Sequence, residues 1–589
     1  MSSSQPFTTL VELYERSISN YANNDLFGVK KNGRYSWITY GEFGEMVDNF
    51  RGGLAKLGVE SGDTVAIIAD NRVEWAVAAY ATYGRAASFC PMYESQLPKD
   101  WDYIISDSAA KVVVVANEKI YEHVKPFIKT IDTLEHVIVL DCADDHEDSY
   151  ASILKLGAEN PVDTLNPKPE DLAGFIYTSG TTGKPKGVLL THDNICYNVC
   201  AVLDIELIRN DDVSLAFLPW AHSFGQNCEL HVFFALGGAM GLVESVQTII
   251  ENLSEVKPTF LFAVPRIFNR IYDGLSKRME EESPVKRKLF KAAMRNSDQL
   301  RANTDANKTS LMVNVMDKAY DAIIFQKVRE RFGGRLRACV SGGAALSPEV
   351  ARFIDNLHIN VFEGYGLTET SPLVSVNLPG ARKIGSVGRP VLDVEIVIKD
   401  VEGYPSGTGE VCVRGRNVMQ GYHQLPDKTA EVIDEEPSGG RLFHTGDLGK
   451  LDEDGFLWII GRVKEQYKLE NGKYVVPAPI EEQLALSPYI LQCMIEGIGK
   501  PYNAAVIVID QEAVSKWAKE NGVSQDDLLT SDKVHTLIKN EIERVGEGLK
   551  GYEKPKKFIL DDEEWTPNNG MLTPKMSLKR RVAMEKFGD

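Results

Sequence analysis

The sequence predicts a multidomain α/β protein: a large N-terminal domain of β-sheets flanked by helices and carrying a β-rich subdomain, then a small α+β C-terminal domain. Three observations lead there. Apolar strand-like runs alternate with helix-like segments from Tyr40 to Ala116, the order that builds a parallel or mixed sheet covered by helices. Past Gly409 the pattern changes to short alternating strands separated by turns, and the stretch from Gly461 to Gly472 is dense in Lys, Glu, Gln and Gly. The length, 589 residues, also exceeds what one hydrophobic core usually supports.

Each element has its own signal. Tyr40, Phe43, Met46, Val47, Phe50, Leu54 and Leu57 recur at spacings of three and four, which marks an amphipathic helix. The turn Ser61-Gly62-Asp63 follows, then the buried strand Val65 to Ala69, a helix from Trp75 to Tyr83 and a strand from Val112 to Ala116. Between about 267 and 331 lies a polar, Lys/Arg/Glu-rich helical stretch without strand patterning, for example Lys277 to Arg295 and Val313 to Arg331, read as an insertion on the main domain. Val411 to Arg414 and Leu457 to Ile460 are strands of a β-rich subdomain over about 385–461, and a boundary near Arg462 separates domains 1–461 and 462–589.

Composition narrows the function. Lys plus Arg total 65 against 84 Asp plus Glu, a net charge of -19, which disfavours a nucleic-acid partner because phosphate neutralisation needs a basic face. The longest charge-free run found, Val213 to Cys228, is too short and too polar to cross a bilayer. The N-terminus has no basic segment followed by an apolar one, so the cytoplasm is the expected compartment. Eight scattered cysteines lack the spacing of common metal and redox motifs and are read as reduced thiols.

The most informative segment is Tyr177-Thr178-Ser179-Gly180-Thr181-Thr182-Gly183-Lys184-Pro185-Lys186-Gly187, set between the apolar runs Leu172 to Ile176 and Val188 to Leu190 and therefore expected to be a loop between strands. Its three glycines let backbone N–H groups approach an anion, its four hydroxyls add donors and its two lysines add charge, all suited to a nucleotide polyphosphate. It is not a Walker loop, since Gly180 and Gly183 are too close and Lys184 precedes Pro.

This segment resembles the phosphate-binding signature of the adenylate-forming superfamily, and further motifs follow in that family's order. Phe217 to Gly225 resembles the motif whose histidine, here His222, lies beside the acyl pocket. The turn Ser341 to Ala345 can set backbone against a flat ring, and the resemblance makes Gly342, Gly343 and Ala344 part of an adenine pocket. Glu363-Gly364-Tyr365-Gly366-Leu367-Thr368-Glu369-Thr370 gathers a ring, a hydroxyl and a carboxylate within five residues; by similarity Tyr365 packs on adenine, Thr368 contacts the α-phosphate and Glu369 holds Mg²⁺. His444 to Asp447 resembles the ribose motif, with Asp447 accepting from the sugar hydroxyls, and Gly461 to Glu465 resembles the interdomain hinge, with Arg462 near the ribose and Lys464 at the hinge.

The tail departs from the family. Many relatives carry an adenylation lysine two positions before a basic pair, and Ser577 stands at that position before Lys579-Arg580, leaving Lys575 and Lys579 as alternatives. The resemblance implies ATP-dependent activation of a carboxylate to acyl-AMP with a mobile C-terminal domain, then transfer to coenzyme A. Val264 to Phe268, the helical insertion, Arg329 to Arg337 and Gly472 to Pro477 resemble long-chain fatty acyl-CoA synthetases, so the implied partners are a fatty acid, ATP and coenzyme A. A carrier-protein acceptor, arrest at acyl-AMP and a catalytically impaired binding protein are the alternatives, and the sequence is compatible with a homodimer and with peripheral membrane contact. Val213 to Val243 is read as either an acyl-tunnel wall or a buried helix.

Overall fold

The computed structural model describes residues 5–143, 146–178, 184–305, 308–436, 440–573 and 577–588. Two layered sheets form the body. The larger has seven strands in the order Gly421–Tyr422, Lys186–Thr191, Leu172–Thr178, Ser88–Met92, Thr64–Ile68, Ala110–Asn117 and His136–Asp141. Its five strands from Leu172–Thr178 outward are parallel, and every residue of Thr64–Ile68 and Ser88–Met92 is buried, as expected of strands covered on both faces. A second sheet orders Phe260–Ala263, Ala338–Ser341, Asn360–Gly366, Leu373–Val376 and Arg389–Pro390, its first three strands parallel. A four-stranded sheet and a five-stranded antiparallel sheet within residues 395–462 complete this part of the chain.

Local sequence explains the helices. Thr39 and Glu42 form a capping box on Tyr40–Lys56, and Thr9 and Glu12 do the same for Leu10–Tyr21. Val73–Tyr83 is buried nearly all round, which accounts for its run of alanines and aromatics. Tyr40–Lys56 lies against Tyr150–Ala158 so closely that a Cβ on Gly157 would stand 1.6 Å from the Asn49 carbonyl oxygen.

The polar stretch is helical throughout, and among the described residues no strand falls between Pro265 and Phe332. The stretch Lys277 to Arg295 is, however, two helices, Pro265–Glu281 and Pro284–Asp305: the backbone turns extended at Glu282, and Ser283 precedes a proline, which disfavours helix at that position. The residues from Val213 to Val243 are not one helix: Val213–Ala216 and Ala239–Leu242 are strands, and the helical part lies between them. Phe224–His231 is π-helical and continues into Val232–Leu236; the whole is deeply buried, yet Phe224 and Cys228 also face the large cleft.

Beyond Arg462 the chain builds its own core. Strands Ile490–Glu496, Ala504–Ile509 and Lys557–Asp561 form a sheet covered by Gln511–Glu520 and Asp532–Val545, around Ile495, Ile507, Val514, Val534 and Ile538. Contacts back to the larger part include two long ion pairs, Arg266–Glu564 at 3.7 Å and Lys516–Glu281 at 3.8 Å, and the Tyr474 ring against Tyr404. Exposed pairs of this length contribute about 0–1 kcal/mol each.

Gly157→Ala is expected to destabilise the large domain by about 2–3 kcal/mol through overpacking, read as a lower urea midpoint at unchanged m-value.

Candidate active site

One cleft of about 3450 Å³ runs between the carboxyl ends of the parallel strands, the antiparallel sheet and the C-terminal module. The strand Asn360–Gly366 delivers Glu363, Gly364, Tyr365 and Gly366 to it. At Gly366 any side chain is excluded, because a Cβ would sit 1.9 Å from the Pro372 carbonyl oxygen. The chain then tightens into the 3₁₀ turn Thr368–Thr370, which points Thr368 and Glu369 into the same space.

Asp447 ties three segments together. Its carboxylate accepts from the Tyr365 hydroxyl at 2.5 Å and pairs with Arg462 Nε at 2.8 Å, while its backbone N–H donates to Thr445 Oγ1 at 3.0 Å. Burial pushes the Asp447 carboxyl above its usual range, and Arg462 opposes that shift. The turn before it is held from behind: Gly446 N–H donates to Glu410 Oε1, and His444 lies between Glu410 and Asp434 at 2.8 and 2.9 Å.

Glu369 has its own support. The Tyr422 hydroxyl donates to Glu369 Oε1 at 2.9 Å, and Met419 N–H donates to the Glu369 carbonyl. Lys186 Nζ sits 3.9 Å from the Tyr422 ring centre, and burial holds this amine below the usual lysine range. Ser223 Oγ donates to Thr368 Oγ1 at 3.3 Å and Asn227 Nδ2 to the Ser371 carbonyl at 3.0 Å, so the π-helical segment is tied to the Thr368-Glu369 turn. His222 Nδ1 accepts from Phe224 N–H, and its neighbours Phe217, Leu218, Phe224 and Cys228 give this end of the cleft an apolar wall.

The cleft therefore collects Thr178, Lys186, His222, Gly342, Gly343, Ala344, Glu363, Gly364, Tyr365, Gly366, Thr368, Glu369, Asp447, Arg462, Lys464 and Lys579 from across the chain. Lys184 is not among its lining residues; its Nζ lies 4.7 Å from the Tyr103 ring centre. Ser179, Gly180, Thr181, Thr182, Gly183 and Lys575 lie outside the described residues. Thr573, Ser577 and Lys579 line the cleft, and Arg580 pairs with the buried carboxylate of Glu481.

Tyr422 and Glu410 went unnoticed in the sequence. Tyr422 lies 53 positions from the carboxylate it supports, and it is brought there by the pairing of Gly421–Tyr422 with Lys186–Thr191 and by the Met419 N–H bond to the Glu369 carbonyl. The sequence carries no local signal for such a contact.

A sequence model of the AMP-binding enzyme family matches residues 15–423, and one for the C-terminal domain of AMP-binding enzymes matches residues 464–589. The chain belongs to the AMP-binding enzyme family. Among curated proteins it is 31% identical to the peroxisomal long chain acyl-CoA synthetase 7 of Arabidopsis thaliana, over 99% of this chain and 85% of that protein. It is likewise 31% identical to long-chain-fatty-acid–CoA ligase 5 of Mus musculus, over 98% of this chain and 87% of that protein. Among solved structures, the adenylation domain of a carboxylate reductase from Mycobacterium chelonae superposes with a TM-score of 0.76 at 22% identity, covering 98% of this chain and 90% of that one. The anthranilate CoA ligase AuaEII, solved with anthranoyl-AMP, gives 0.73 at 20% identity, covering 98% and 97%. These structures share the fold of large α/β domain and C-terminal domain.

Burial raises the Glu363 carboxyl to about 7, against the N–H that Gly385 donates to it at 2.9 Å. A raised acid contributes stability that is present below about pH 4.5 and is lost as pH rises through about 7. Glu363→Gln should therefore lose less stability than the wild type between those values, by about 2 kcal/mol, in melts recorded across that range.

Proposed function

We propose that the protein activates a long-chain fatty acid with ATP to acyl-AMP and pyrophosphate, then transfers the acyl group to coenzyme A with release of AMP. The observation that carries this reading is the near-full-length similarity to long-chain acyl-CoA synthetases, combined with one cleft in which the family's spaced motifs meet beside an apolar wall.

A free carboxylate resists thiol attack because its leaving group is poor, whereas AMP leaves readily. The first step therefore needs alignment of the carboxylate with the α-phosphate and neutralisation of their charges more than it needs a protein nucleophile. In this reading Thr178, Lys186 and the glycine- and threonine-rich sequence between them are assigned to the triphosphate, Gly342 to Ala344 and Tyr365 flank the adenine, and Asp447 accepts from the ribose hydroxyls, exchanging its Tyr365 contact as needed. Arg462, already paired with Asp447, orients that carboxylate and opposes the effect of burial on it. Glu369, with a carboxylate oriented by Tyr422 and the Thr368 hydroxyl beside it, suits Mg²⁺, which takes one or two carboxylates plus substrate oxygens. When bound, Mg²⁺ would supply charge neutralisation on the phosphates.

His222 and the wall from Phe217 to Cys228 are assigned to the acyl side. Lys579 or Lys575 is assigned to the reacting carboxylate and α-phosphate, and Lys579 has the support of lining the cleft. The module beyond Arg462, 462–589, is inferred to turn about Lys464 between the two steps, a motion favoured by the weak exposed ion pairs that join it to the rest.

Pyrophosphate exchange into ATP should appear with palmitate and stay at background with benzoate; equal exchange with benzoate refutes the substrate class. Glu369→Gln is expected to lower that exchange about 100-fold or more. Of Lys575→Ala and Lys579→Ala, one should slow adenylation about 100-fold while leaving thioester formation from supplied acyl-AMP near wild type, and two full-rate variants would remove the lysine assignment.

A further inference from the structure

The helical insertion presents an apolar face to solvent. On Leu311–Tyr320 and the turns that follow, Leu311, Met312, Val315, Met316 and Ile323 are 81, 77, 57, 36 and 56% exposed. Their spacings of one, three and four, continued by exposed Ala319 and Ala322, put them on one side of the helix. The opposite side holds the polar and packing groups. Asp317 is buried against His358, Asp321 pairs with Arg329, and Phe325 is fully buried. The usual arrangement of a surface helix is thus supplemented by a second apolar stripe facing water, where isolated exposed residues would be ordinary but a contiguous face marks a binding surface.

The surroundings of this stripe are basic. Residues 283–331 hold eleven Lys/Arg and five Asp/Glu in a chain whose net charge is -19. Exposed Lys318 and Lys327 lie on its two edges, and the adjoining helix Pro284–Asp305, tied to it by Asn296 Nδ2 donating to the Val313 carbonyl at 3.2 Å, exposes Arg287, Lys288 and Lys291 beside Val285 and Leu289. Two of the acids, Asp317 and Asp321, and two of the basic residues, Arg301 and Arg329, are held in pairs, so the outward excess of positive charge is preserved.

We propose that this face seats the protein on an anionic phospholipid bilayer, with the helix lying in the interface plane, its apolar stripe among the acyl chains and its flanking lysines reaching the phosphates. Charge decides for a lipid surface over a second copy of this chain, since two such basic faces would repel. The preceding helix, Pro265–Glu281, lines the cleft, so the lipid-facing insertion is continuous with a wall of the site.

Flotation with vesicles tests this on the full chain. The wild type should float with vesicles of equal phosphatidylglycerol and phosphatidylcholine, release as salt is raised, and stay behind with phosphatidylcholine alone. The triple variant Met312→Glu, Val315→Glu, Ile323→Glu should lose binding about tenfold or more at an unchanged melting temperature. The double variant Lys288→Glu, Lys291→Glu should lose the preference for anionic lipid and the salt response. The proposal is overturned if the wild type stays unbound with anionic vesicles, or if the folded triple variant binds as well as the wild type. It is equally overturned if sedimentation reveals a wild-type dimer that the triple variant abolishes.

Discussion

Asp447 is the contact on which the site depends. A carboxylate buried this deeply is costly unless it is paired and hydrogen-bonded, and it meets both conditions only when Tyr365 and Arg462 come from two other segments. Removing Arg462 would leave a buried charge unpaired and removing Tyr365 would cost it a hydrogen bond, so the strand Asn360–Gly366, the strand Arg441–Leu451 and the strand Leu457–Arg462 are held together by chemistry as well as by the sheets.

The same logic recurs around Glu369. Its carboxylate is held by a phenol that is itself covered by a lysine, and the turn that carries it is tied back to the π-helical segment through Ser223 and Asn227. Preorganisation of this kind places polar groups before a ligand arrives, which is where charge-transferring sites gain most of their advantage over water. Rigidity on this side of the cleft contrasts with the opposite side. There the C-terminal module meets the larger part through contacts that include two long exposed ion pairs.

Much of this was legible in the sequence because the signals are local. The helical spacing from Tyr40 to Leu57, the apolar runs of the parallel strands and the polar stretch without strand patterning each act within a few residues of themselves, and all became elements of the expected type. The break at Glu282 and Ser283 was also local, just before a proline. What could not be read was pairwise: Tyr422 on Glu369, Glu410 behind Gly446, and Lys184 turned to Tyr103 while its neighbour Lys186 faces the cleft.

By itself the sequence determined the fold class and singled out candidate residues of the types that suit phosphate, metal and ribose chemistry, because glycine spacing, hydroxyls and carboxylates keep their properties wherever the chain puts them. Only the tertiary structure decided which of them share one cleft and which face of the insertion meets solvent. Helical periodicity places Asp317 and Met316 on different sides, but it does not say which side the core will cover; here Asp317 and Asp321 both meet His358 and Phe325 is buried, so that side lies inward and the apolar stripe outside.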